Sequence, residues 1–195
     1  MPATNTREKL IVTATSIMSA KGYNNTGIAE ILNQINVPKG SFYHYFKSKD
    51  ELGLAIIENY GETLRMQLEE YLKTAPGKAI VRLQNYFEML VGYFEGNFHH
   101  CNCLLGNLAQ ELAIQSPEMR KAIFSHYTAI EKLIAECLKQ AKKEGDIAAD
   151  ADEQVLAKIL FSSWEGCLVR AKLEQSPASL NELLKVYFSS IVTTR

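Results

Sequence analysis

The reactive side chains of this 195-residue chain gather in two places. The first is His99-His100-Cys101-Asn102-Cys103, four soft donors within five residues. Three chemistries are open to it. Neutral imidazole and thiolate are good zinc or copper ligands, but C-x-C beside two histidines lacks the spacing of a zinc finger and would need ligands from elsewhere. A thiol at a helix amino terminus has its thiolate favoured by the dipole, which suits redox or electrophile sensing. The third reading is structural, since cysteine packs as a small hydrophobe. The second place is Lys39, Gly40, Ser41, Tyr43 and His44, followed by Lys49. There a glycine permits close approach, and cations and short or rigid donors suit phosphate oxygens and base edges.

The charge distribution agrees with a polyanion partner at one end only. Residues 1–50 carry six Lys/Arg against three acids, a net of +3; the other residues carry fifteen against nineteen, a net of −4. Four cysteines in a chain of this size do not make a disulfide framework. The stretch from Leu10 to Ala20 is too rich in Thr and Ser for a signal peptide, and no apolar run approaches a membrane span. A cytoplasmic protein with reduced thiols and no membrane partner is expected. No phosphate-binding glycine loop, H-E-x-x-H, nucleophile elbow or C-x-x-C pair is present. Neither an enzyme nor a cofactor or metal dependence is therefore expected. The rival readings are a thiol enzyme pairing Cys103 with His99 or His100, and a helical adaptor without DNA binding.

The elements that position these residues read as helices throughout: an all-α fold of about nine helices, with strand signals almost absent. The first helix starts near Thr4 or Thr6, buries Leu10, Ile11, Ala14, Ile17 and Met18, and stops at Gly22. Thr26 is expected to cap a short second helix, and Pro38 to open a third. Ile28, Ile31, Leu32, Ile35, Val37 and Phe42, with Tyr45 or Phe46, form a small core, and Asn36 stands where the turn needs a left-handed residue. Ser48 and Glu51 form a capping box for a fourth helix running to about Thr74. Later helices are drawn at about 78–95, 104–115, 117–144, 152–174 and 178–192. Domains of 1–50, a helix-turn-helix, and 51–195, a helical effector-binding and dimerisation domain, are expected.

The run Asn36-Val37-Pro38-Lys39-Gly40-Ser41-Phe42-Tyr43-His44-Tyr45-Phe46, with Gly22 and Thr26-Gly27-Ile28 before it and Ser48-Lys49 after it, closely resembles the signature of the TetR family of repressors. The match spans about residues 6–55. The resemblance implies a helical DNA-binding head, a larger ligand-sensing body and a homodimer built mostly from the last two helices, which reads a palindromic double-stranded operator. At matching positions it implies DNA contacts by Thr26, Lys39, Ser41, Tyr43, His44 and Lys49. Gly27 stands where Ser or Thr is common, and Pro38 replaces the usual Ser or Thr cap. The segment Asn102 to Leu112 resembles one in a subgroup of that family responsive to electrophiles such as N-ethylmaleimide, which places the sensing thiol at Cys103. Effector cavities of the family lie among the middle helices. Tyr86, Tyr93, Phe94, Tyr127, Trp164 and Cys167, with Cys101 and Cys103, are accordingly the effector or thiol-sensing candidates. Helical spacing of Val155, Leu156, Ile159, Leu160, Ser163, Gly166, Cys167 and Val169, and of Leu180, Leu183, Leu184, Tyr187, Phe188 and Ile191, suits a dimer face, and equally the core of a monomer.

Overall fold

The computed structural model describes residues 6–95 and 102–193, which hold nine α-helices and no strand. They are α1 (Thr6–Lys21), α2 (Ile28–Gln34), α3 (Lys39–Phe42), α4 (Lys49–Thr74), α5 (Ala79–Phe94), α6 (Leu104–Leu112), α7 (Pro117–Lys143), α8 (Glu153–Glu174) and α9 (Ala178–Ile191). The chain forms two compact units. The first holds residues 1–63 and 103–126, and the second 64–102 and 127–195, so α4 and α7 contribute to both.

In the first unit α1 packs on α2 and α6, and α2 on α3. Leu10, Ile11, Ala14 and Met18 bury one face of α1, as its periodicity predicts, while Ile17 is only half buried. Gly22 ends α1 with φ +88°, a conformation costly for residues with a Cβ. Asn36 takes φ +53° in the α2–α3 turn, as expected of a residue that tolerates the left-handed region. The capping box at α4 forms with a shift of one residue. Ser48 Oγ accepts the Glu51 N–H at 3.1 Å, but Glu51 reaches back to the Lys47 N–H (2.7 Å) rather than to that of Ser48. Where α4 meets α7, Gly61 lies against the His126 ring so closely that a Cβ would overlap it, and His126 Nε2 is 3.1 Å from Glu58 Oε2.

One expected cap is not a cap. Gly27, not Thr26, is the N-cap of α2, without a side-chain hydrogen bond. Thr26 instead turns its hydroxyl back to donate to Gly22 O at 2.7 Å. A local side-chain bond of this kind competes with capping and here locks the turn.

In the second unit α8 packs on α9 and α5 on α9. Asp152 caps α8, accepting from the N–H groups of Gln154 (2.9 Å) and Val155 (3.0 Å). Gln175 closes α8 in the left-handed region, φ +50°, a place where sequence would favour glycine. An aromatic chain runs through the core: Tyr71 to Tyr86 (5.4 Å between centroids), Tyr86 to Phe87 (5.6 Å) and Phe87 to Trp164 (5.0 Å), mostly edge-on as ring quadrupoles prefer.

Candidate functional site

The α2–α3 segment is built on two buried rings. Phe42 is fully enclosed, and Phe46 packs against it with centroids 5.8 Å apart. Burying each is worth about 1.5–3 kcal/mol, enough to fix the register of a segment this short. With Phe42 and Phe46 inward, Lys39, Gly40, His44 and Lys47 are exposed and Ser41 is half buried. Tyr43 is 54% exposed, its ring edge-on to Phe42 at 5.3 Å. A Cβ at Gly40 would meet nothing within 4 Å, so the surface beside it is open. Helix α3 itself is a single turn, Lys39–Phe42, opened by Pro38. Its dipole is correspondingly small, and side-chain donors rather than a helix terminus carry the chemistry of this surface.

Two other sequence candidates are turned inward. Thr26 is 1% exposed. Lys49 donates to the Tyr23 carbonyl at 2.6 Å, with its ammonium 4.3 Å from the centre of the Tyr23 ring. Burial holds the Lys49 ammonium below its ordinary pKa, against the raising influence of Asp50 and Glu111.

The sensor candidates divide. Cys103 is buried at the N-cap of α6 and belongs to the first unit. Cys101 lies outside the described residues, as do His99 and His100. In the second unit Tyr86, Phe94 and Trp164 are buried, and Tyr127 packs on Phe161 at 5.0 Å. Burial pushes the Tyr86 hydroxyl up to about 12. Tyr93 is 73% exposed, its ring edge-on to Phe94 at 5.6 Å. Cys167 is half buried, its thiol pushed up mainly by burial. Among the described residues no group of three or more His, Cys, Asp or Glu side chains is placed to hold a metal ion.

A further feature escaped the sequence. A cavity of about 160 Å³ opens between α4, α5 and α7 and is lined by Glu69, Leu72, Arg82, Leu133, Cys137 and Gln140. Arg82 Nε is buried there without a hydrogen-bond partner among the described residues. Cys137 donates to Ala79 O at 3.2 Å, and burial pushes its thiol up to about 11, so it is almost wholly protonated at neutral pH.

Comparison with known proteins decides what this architecture is. Residues 10–56 match the bacterial regulatory proteins of the tetR family, and residues 79–187 match the tetracyclin repressor-like C-terminal domain. The chain belongs to the TetR family of DNA-binding transcriptional regulators. It is 32% identical to the transcriptional regulator AcuR of Cereibacter sphaeroides, over 95% of this chain and 85% of that protein. It is 29% identical to the transcriptional repressor DhaR of a Mycobacterium species, over 98% of this chain and 95% of that one. Its fold superposes on the crystal structure of reduced Escherichia coli NemR with a TM-score of 0.88 at 27% identity, covering 97% of this chain and 98% of that one. No helix among the described residues of this TetR-family regulator is long and apolar enough to cross a membrane.

The residues most tightly organised in the TetR-family head are ones that sequence did not single out. Tyr23 donates from its hydroxyl to Asp50 (2.5 Å), and the Glu111 carboxylate accepts the backbone N–H of Tyr23 (3.0 Å) and of Asn24 (2.9 Å). Burial, and then Asp50, pushes the Tyr23 hydroxyl well above the usual phenol range. Glu111 is 88 positions from Tyr23, and a contact of that range leaves no local signal in a sequence.

Proposed function

We propose that this TetR-family regulator is a cytoplasmic, dimeric, non-enzymatic repressor that holds a palindromic operator and lets go when an effector binds or a thiol is modified. Residues 1–50 are the DNA-binding domain and 51–195 the effector and dimerisation domain. Lys39, Gly40, Ser41, Tyr43 and His44 meet the DNA, with Lys49 steadying the turn behind them. The observation that carries this reading is the exposure of Lys39, Tyr43 and His44 over the enclosed Phe42 and Phe46. Repression is the activity named for DhaR and NemR.

Dimerisation runs through α8 and α9, by exposed side chains and not by Leu180, Leu184, Tyr187 and Phe188, which are buried within the single chain. Val155, Ile159, Val169 and Leu173 leave an apolar stripe exposed along α8, and a Cβ at Gly166 within it would meet nothing within 4 Å. Such a stripe with a small residue at its middle suits a facing helix. The functional need is separate: one head reads few bases, whereas a two-fold dimer reads two half-sites. Release begins at Cys103, whose place at the N-cap of α6 supports thiol sensing, or at a small molecule held near Tyr86, Phe94, Tyr127 and Trp164.

Titration of the reduced protein against DNA from upstream of its own gene, before and after treatment with a thiol-reactive electrophile, tests both parts. Tight binding abolished by the treatment, and retained by Cys103→Ser, supports repressor and sensor together. Tight binding indifferent to the treatment keeps the repressor and removes the thiol sensor.

A further inference from the structure

The segment that draws attention to Cys103 also contains Glu111, at the other end of α6, and this side chain reaches the DNA-reading head. Its Oε1 accepts the Tyr23 N–H at 3.0 Å and its Oε2 the Asn24 N–H at 2.9 Å, so one carboxylate spans the α1–α2 turn. The fit is close: a Cβ at Gly22 would lie 2.5 Å from Glu111 Oε1. Hydrogen bonds to an ionised acceptor are about twice as strong as neutral ones. Lys49 holds the carbonyl of the same Tyr23, and Asp50 its hydroxyl. From there the turn is rigid to the start of α2, because the Thr26 N–H returns to Tyr23 O (3.1 Å) and the Thr26 hydroxyl to Gly22 O (2.7 Å).

The geometry points to Glu111 as a positioning residue for DNA reading, which fastens the α1–α2 turn of the helix-turn-helix to α6 without itself being a DNA-contacting side chain. This rests on the reading of the 26–47 segment as the DNA-contacting one. Glutamine at 111 keeps the size but offers one acceptor in place of two, and sets an NH₂ group against the second N–H. The sign of its effect is diagnostic. Removing a negative charge from a DNA-binding head strengthens attraction to phosphate. A fall in affinity therefore reports lost geometry.

The test compares the full-length reduced protein with Glu111→Gln, and with Gln110→Ala on the exposed side of the same helix, by operator titration at several salt concentrations. Glu111→Gln is expected to bind about ten- to a hundredfold more weakly, with its fold, dimeric state and salt slope kept and its thermal midpoint lowered by only a few degrees. Gln110→Ala is expected to bind like the wild type. Equal or tighter binding by folded Glu111→Gln overturns the inference. Amide hydrogen exchange decides it independently of any variant. In the wild type the Tyr23 and Asn24 amides exchange slowly if the carboxylate holds them, and Asn24, on an exposed turn, exchanges at the unprotected rate if it does not. Failure of the wild type to bind any DNA would instead overturn the DNA reading, while the exchange measurement still decides the clamp.

Discussion

Lys49 and Tyr23, 26 positions apart, meet twice: the lysine ammonium donates to the tyrosine carbonyl at 2.6 Å and lies 4.3 Å from the centre of its ring. A residue that sequence reads as a phosphate anchor is therefore also a brace inside the head. Removing it acts on stability and on DNA binding together. Lys49→Met is expected to lower stability by about 1 kcal/mol, below the usual about 1.5–3 kcal/mol for a bond to a charged group because the site is partly exposed. It also weakens operator binding. Denaturant unfolding and operator titration of the same variant check the pair of effects; a loss of affinity with no loss of stability would leave Lys49 a phosphate contact alone.

Lys39 makes the contrasting case. It is exposed. Lys39→Ala is expected to leave the thermal midpoint unchanged, weaken operator binding about tenfold and reduce the salt slope by about one. An unchanged salt slope would remove Lys39 from the phosphate-contacting set.

The buried tyrosines predict a steep loss of stability in alkali. Tyr23 and Tyr187 are pushed well above the ordinary phenol range, and Tyr86 up to about 12, chiefly by burial. A group whose folded pKa is raised contributes stability in full below its unfolded pKa, here 10.0, and loses it as pH climbs toward the folded value. Unfolding free energy is thus expected to be flat up to about pH 10 and to fall above it. Tyr23→Phe makes that fall shallower while lowering stability at neutral pH by about 0.5–1.5 kcal/mol, since Asp50 loses its donor but is exposed to water. Denaturant titrations at pH 8 and pH 11 measure both.

The helices were legible because their ends are. Gly22, Gly77, Pro117, Gly145 and the Ser176–Pro177 pair sit at breaks where backbone sterics leave little choice, and the observed ends fall within a few residues of those expected. Asn36 was legible for the same reason. The match to the TetR signature made the outward set from Lys39 to His44 readable as a surface. What could not be read was tertiary. Tyr93 belongs to an aromatic run that looks like core, yet it faces solvent while Tyr86 and Phe94 do not, because only packing chooses between neighbouring faces of α5. Thr26 is a good cap residue by type, but its hydroxyl donates to Gly22 O and Gly27 takes the N-cap position of α2. The Glu111 bonds cross 88 and 87 positions.

Ile159 isolates the dimer face. It is 49% exposed within a single chain, so Ile159→Asp costs little in the monomer. Against a facing α8 the same change buries an unpaired charge, which is costly. Sedimentation is expected to report a dimer for the wild type and a monomer for Ile159→Asp, with operator affinity falling as the second half-site is lost. A variant that remains a dimer would move the interface away from this stripe.

The central claim, a specific DNA-binding head presented by Phe42 and Phe46, is tested most directly by selecting genomic fragments bound by the reduced wild-type protein and measuring affinity for the best of them at physiological salt. The account predicts a palindromic site bound at about 10⁻⁸ M or tighter, with binding lost when Lys39 and Tyr43 are both replaced by alanine. Affinity no better than the non-specific range of about 10⁻⁴–10⁻⁶ M for every fragment, or undiminished binding by the double variant, would contradict it.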